Sequence, residues 1–131
     1  MISERVRDFL QQPLFAVVAT INPDGSPQQT VVWYELRDNA IIMNTTADRQ
    51  KMRNLKRDSR IDICIPDGYR YVTISDRAEL IDNQKQAQRD IEQLAIRYHG
   101  EQVGKAQMVE FSRQQRVTIR VPLDNVHAYG F

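Results

Sequence analysis

The residues best suited to chemistry in this chain lie between positions 40 and 60, where an apolar stretch, Ala40-Ile-Ile-Met43, runs through Asn44, Thr45 and Thr46 into a basic segment. Asn and Thr side chains offer neutral hydrogen-bonding groups at the end of a strand. Asp48 is the expected N-cap, and a helix starting behind it directs its free N–H groups toward the same spot. Arg49 and Lys51 then place cations in the first helical turn, the end at which the helix dipole disfavours them. Charges kept at an unfavourable end suggest a bound anion. By charge alone a solvated helix face is the stronger reading of such a run; the hydroxyl turn before it argues for Arg49 and Lys51 as anion ligands. Arg53, Lys56, Arg57 and Arg60 read as surface.

Other reactive groups are sparse. Cys64 is the only cysteine and sits in the apolar run Ile61-Asp-Ile-Cys-Ile65. It reads as a buried small hydrophobe, without a disulfide partner and poorly activated as a nucleophile. His99 falls at a predicted helix end, where a cation complements the dipole. His127 lacks a second ligand at metal-binding spacing. Trp33, Tyr34, Tyr69 and Tyr71 are expected in the core or at an interface.

The elements that position these residues follow from periodicity. A short helix capped by Ser3, with Val6, Phe9 and Leu10 on one face, ends before Pro13. Leu14 to Ile21 reads as a strand buried on both sides. Asn22-Pro-Asp-Gly-Ser-Pro27 is a tight turn, Gln28 to Leu36 a returning strand, and Ala40 to Thr45 a third, together an antiparallel meander. Ile61 to Ile65 and Tyr69 to Ile81 are further strands, the second with a slip near Asp76 that suggests a bulge. Gln84 to His99 is an amphipathic helix stopped by Gly100, with a second helical piece over 104–111. Arg116 to Val121 forms another strand, and 125–131 closes the chain.

Length and composition bound the rest. With 131 residues and a net charge of +1, residues 1–131 read as one globular domain without a global field toward nucleic acid or membrane. No signal-peptide core or bilayer-length apolar run is present, so a reducing cytoplasm is the expected setting. Many short antiparallel strands with a few helices predict a mainly β fold, a small barrel with peripheral helices.

These segments together resemble the split-barrel flavin-binding superfamily that includes pyridoxamine 5'-phosphate oxidase, nearest to its deazaflavin-dependent branch. The likeness runs through Phe15-Ala-Val-Val-Ala-Thr20, Asn22-Pro-Asp-Gly-Ser-Pro-Gln28, Val31-Val-Trp33 and Asn44-Thr45. It continues through Arg49, Lys51, Arg53-Asn-Leu55, Arg57-Asp-Ser-Arg60, Tyr71-Val-Thr-Ile-Ser-Asp-Arg-Ala-Glu-Leu80 and the close at Val126-His-Ala-Tyr-Gly130. Asp76 stands where the family usually has glycine. The resemblance implies an antiparallel split β-barrel of the FMN-binding type, assembled as a homodimer with cofactors in grooves between subunits. It implies FMN or coenzyme F-420 as cofactor and hydride transfer to a small-molecule substrate. Carried over, Arg49 and Lys51 bind the cofactor phosphate, and Asn44, Thr45 and Thr46 line the same pocket. Gln28, Thr30, Val31 and Val32 border the ring, while Tyr69, Tyr71 and Arg116 are further candidates, reaching the cofactor of the other subunit. No catalytic side chain or metal site is expected, because such a cofactor carries the chemistry itself. Two rivals stand beside this expectation: a non-catalytic flavin-binding or stress-associated protein, and a nucleic-acid-binding protein using the basic helix. The latter lacks aromatic residues interleaved with the charges. The C-terminal Arg-x-His motif of true pyridoxamine-phosphate oxidases is absent, so that activity is not expected.

Overall fold

The computed structural model describes residues 2–131, Met1 lying outside them. The chain runs α1 (Glu4–Leu10), β1 (Ala16–Ile21), β2 (Pro27–Val32), β3 (Glu35–Arg37), β4 (Ala40–Thr46), α2 (Gln50–Arg57), β5 (Arg60–Asp67) and β6 (Arg70–Arg77). It continues with β7 (Glu79–Ile81), α3 (Gln84–His99), α4 (Glu101–Phe111), β8 (Arg116–Pro122) and β9 (Val126–Tyr129). All strand pairs are antiparallel and fall into two sheets, β2-β1-β5-β6-β9 and β3-β4-β8-β7. The sheets face each other across one apolar core without joining into a closed cylinder, a split barrel with peripheral helices.

Period-two alternation sets which rows enter that core. Val18 on β1, Ile61, Ile63 and Ile65 on β5, and Val72 and Ile74 on β6 meet Ile41 and Met43 on β4 and Ile119 and Val121 on β8. Phe9 and Leu10 of α1 close one end, Ser3 accepting the Val6 N–H at the helix start.

Three expectations need correction. The strand around Ala16–Ile21 is not buried on both sides: only alternate residues are buried, and Val17, Ala19 and Ile21 remain half-exposed on the outer face. The predicted meander is broken, because the chain leaves one sheet and enters the other at Trp33–Tyr34. There the Tyr34 N–H is accepted by the Tyr98 hydroxyl of α3 instead of a neighbouring strand. The slip near Asp76 is likewise not a bulge, since β5 and β6 stay in register from Arg60↔Arg77 to Asp67↔Arg70. The alternation changes because the strand ends at Arg77 and the chain resumes in the second sheet at Glu79, with the Ala78 N–H bound to Ser59 O.

Helix α2 bridges the two sheets. Its Asn54 is fully buried and donates to Thr20 Oγ1 at 3.1 Å and Asn22 Oδ1 at 3.0 Å on the first hairpin, while accepting from Gln50 Nε2 at 2.8 Å. Arg57 donates to the Ile21 carbonyl. Helices α3 and α4 form a hairpin turning at Gly100, whose φ of +86° lies in the region glycine alone adopts freely. Within the hairpin it is α3 that packs over β4 and β8. Among the described residues no helix is long and apolar enough to cross a membrane.

Candidate functional site

A cavity of about 260 Å³ opens where β2 leaves the first sheet, between the ends of β2 and β4, the start of α2, and α3. Strand β4 ends with Asn44, Thr45 and Thr46; the chain turns through Ala47 and Asp48, and α2 begins at Gln50. Asp48 does not cap this helix. The turn places Arg49 at the N-cap, with φ −72° and ψ 150°; no side chain caps the helix, and of its opening N–H groups that of Met52 binds the Arg49 carbonyl. Arg49 and Lys51, two positions apart, both line the cavity, and Arg116 joins them from the first residue of β8, opposite Thr46.

The three cations have no carboxylate within salt-bridge distance among the described residues. Lys51 is only 7% exposed and Arg116 8%. Burial, reinforced by the charge of Arg49, pulls the Lys51 ammonium down to about 8 and the Arg116 guanidinium down to about 10. Neutral pH still leaves both protonated. Arg116 lies over the Phe111 ring at 4.8 Å, with Nε and Nη1 buried and unpartnered. Thr30 Oγ1 and Asn44 Oδ1 are also buried without partners; the other end of the Asn44 amide donates to Ala87 O at 2.9 Å. Buried polar groups left unpaired each cost about 1–3 kcal/mol, and more when charged. Four such atoms around one cavity fit an occupant that is anionic at the Lys51–Arg116 end and hydrogen-bonding at the Thr30–Asn44 end.

Thr30, Val31, Val32, Asn44, Thr45, Thr46, Arg49, Lys51 and Arg116 all line this cavity. Gln28, Tyr69 and Tyr71 do not. Gln28 Oε1 accepts from Thr20 Oγ1 at 3.3 Å. Tyr69 is 94% exposed in the β5–β6 turn, and Tyr71 stacks on Tyr129, ring centres 5.3 Å apart, on the outer face of the first sheet. Four lining residues were not read as site residues: Trp33, Ile91, Leu94 and Phe111. Trp33 stacks on Tyr98 at 5.4 Å and meets Phe111 edge-on at 6.5 Å. Ile91 and Leu94 share the apolar stripe of α3 with core residues, and no feature of the sequence separates the two roles. Cys64 is half-buried on the outer face, its thiol pushed up mainly by burial.

The three later arginines of the basic run are occupied locally. Arg53 donates to Asp48 O and to Gln50 Oε1, Arg57 to Ile21 O, and Arg60 pairs with Asp58 at 2.6 Å. Only Arg49 and Lys51 of this run reach the cavity.

The pyridoxamine 5'-phosphate oxidase family profile matches residues 2–127. No curated protein sequence matches the chain significantly. Among solved structures, a conserved hypothetical protein from Mycobacterium tuberculosis is similar at 30% identity and TM-score 0.83, covering 98% of this chain and 84% of its own. A protein named F-420 reductase is similar at 25% identity and TM-score 0.77, over 96% of this chain and 98% of its own. General stress protein 26 from Bacillus anthracis, 12% identical with TM-score 0.68 over 95% of this chain and 91% of its own, shares the fold. The match along nearly the whole length places this chain in the pyridoxamine 5'-phosphate oxidase family, a flavin-binding family that includes oxidoreductases.

Proposed function

We propose that this protein binds FMN or coenzyme F-420 and serves as an oxidoreductase toward a small organic molecule. The observation that carries the reading is the pair of buried, carboxylate-free cations, Lys51 and Arg116, facing one cavity with Arg49. Charge-assisted hydrogen bonds of about 1.5–3 kcal/mol each would form with a cofactor phosphate there. Thr30 and Asn44, which line the cavity, would meet the polar edge of a ring system, and Val31, Val32 and Trp33 would border its apolar faces. The lining contains no histidine or carboxylate. A reduced flavin or deazaflavin supplies hydride when bound, so the chain needs to bind, orient and screen it from water.

The cavity volume of about 260 Å³ falls below the ~300–1,000 Å³ usual for sites of small molecules and cofactors. A second copy of the chain would enlarge it. The outer face of the first sheet offers a surface for that copy: Val17 faces Val31 and Cys64 across the strands, and Tyr71 faces Tyr129. Val31 and Tyr129 are 65% and 57% exposed. The reading is therefore a homodimer with a composite site.

The test is the absorption spectrum of the purified protein, as isolated and after incubation with FMN or F-420, followed by mass analysis of the released chromophore. One of the two cofactors is expected to be retained. Retention of neither refutes the proposal. The same lining also suits a binder that holds the cofactor without turnover; reoxidation of the bound reduced cofactor by a panel of small organic acceptors separates the enzyme from that alternative.

A further inference from the structure

Gln84 and Gln88, one turn apart at the start of α3, both spend their side chains on the backbone that carries Arg116. Gln84 Nε2 donates to Arg116 O at 2.6 Å, and its Oε1 accepts the Arg116 N–H at 3.0 Å. The reason lies in the sheet. Arg116 pairs with Thr46 of β4 on one side, but β7 ends opposite Thr118 and leaves the other side of Arg116 open. The Gln84 amide fills that position as a strand would, satisfying donor and acceptor together. Gln88 Nε2 donates to Phe111 O at 3.1 Å and Gln114 O at 3.0 Å, tying down both ends of the α4–β8 connection. Phe111 is the residue whose ring lies under the Arg116 guanidinium.

We propose that Gln84 and Gln88 are positioning residues of the anion site, holding the Arg116 guanidinium in the cavity through its backbone and through the Phe111 ring beneath it. A guanidinium with unpartnered, buried Nε and Nη1 has no side-chain acceptor to orient it. Its direction is set by the backbone it springs from and the ring it lies on. The role of that direction in holding a cofactor rests on the function proposed above; the clamp itself does not.

The experiment uses the full chain carrying Gln84→Met or Gln88→Met, which keep length and remove the amide. The first readout is the Arg116 Nε–H resonance in 15N-labelled protein, assigned by its loss in Arg116→Lys. We expect a dispersed, slowly exchanging signal in the parent protein that moves toward the free-arginine position in each variant. An unmoved signal in both variants overturns the proposal whether or not any cofactor binds. Gln88→Met leaves the Arg116 backbone pairing intact and carries the test if Gln84→Met does not fold. The second readout is the Kd for FMN or F-420, whichever the parent retains. Each variant is expected to bind about ten- to a hundredfold more weakly, the worth of one displaced charge-assisted hydrogen bond. In an Arg116→Lys background the further loss should shrink to less than about twofold, because the sites act through one another. Additive losses overturn the positioning role. A moved resonance in a protein that retains neither cofactor upholds the clamp and refutes the proposed function instead.

Discussion

Lys51 holds a positive charge with 7% of its surface exposed and no carboxylate to answer it, an arrangement that weakens the ligand-free fold. Replacing it tests whether that weakness serves binding. Lys51→Met should raise the stability of the ligand-free protein by about 1–3 kcal/mol, because an uncompensated buried charge is removed, while weakening cofactor retention at least ~10-fold. Chemical denaturation and cofactor titration of the same sample read both effects; a variant that loses stability and keeps its cofactor removes Lys51 from the site. The pH dependence follows from burial holding the group at about 8 against an ordinary value of 10.5. Between those values the unfolded chain binds the proton that the folded chain has released, so this group makes the ligand-free protein more stable as pH rises from 8 toward 10.5. Anion binding runs the other way. Affinity for the proposed cofactor is expected to fall as pH rises past about 8, since only protonated Lys51 would attract a phosphate. Lys51→Arg should flatten that decline when Kd is measured across the same range.

The helix hairpin depends on one close approach. A Cβ at Gly104 would lie 2.6 Å from Ile96 N and 2.8 Å from Ile96 Cα, backbone atoms that cannot turn aside. Gly104→Ala adds helix propensity of about 1 kcal/mol, yet it must push α4 off α3, at a cost of about 1–3 kcal/mol and sometimes more. The net expectation is a loss of stability on urea unfolding, with weaker cofactor binding as Phe111 moves with α4. Helix α3 was legible because its apolar spacing and Gly100 agree, and the 16 residues from Gln84 to His99 match the periodicity at both ends; α4 was legible only from position 104, although it begins at Glu101 directly after Gly100. The sheet assignment was not legible. Trp33–Tyr34 and Ala78 look like ordinary strand residues, and what diverts the chain there is a hydroxyl on α3 and a carbonyl on Ser59, partners remote in sequence. Asp48 misled for a local reason: it has the chemistry of a cap, but the two-residue turn starts the helix one residue later. Arg49, Lys51 and the β4 residues fall at one cavity because a strand, turn and helix start are contiguous in sequence. The contribution of Trp33 and Phe111 needed the fold, since segments far apart in the chain bring them together.

Assembly is where the remaining weight of the proposal rests. Val17 lies on the outer face, flanked by Val31 on β2 and Cys64 on β5. Val17→Asp would set a charge in the proposed contact while leaving the inward-facing core untouched. Light scattering should then report the mass of a single chain, and cofactor retention should fall with it; a dimer of unchanged mass places the contact elsewhere. One local feature also governs how such experiments can be followed. The chain has a single tryptophan, and it sits on the wall of the cavity against Tyr98. Intrinsic emission therefore comes from one lamp at the mouth of the site, and an absorbing guest should dim it in proportion to occupancy. Titration of unlabelled protein with FMN is expected to quench it, and Trp33→Phe supplies the dark control.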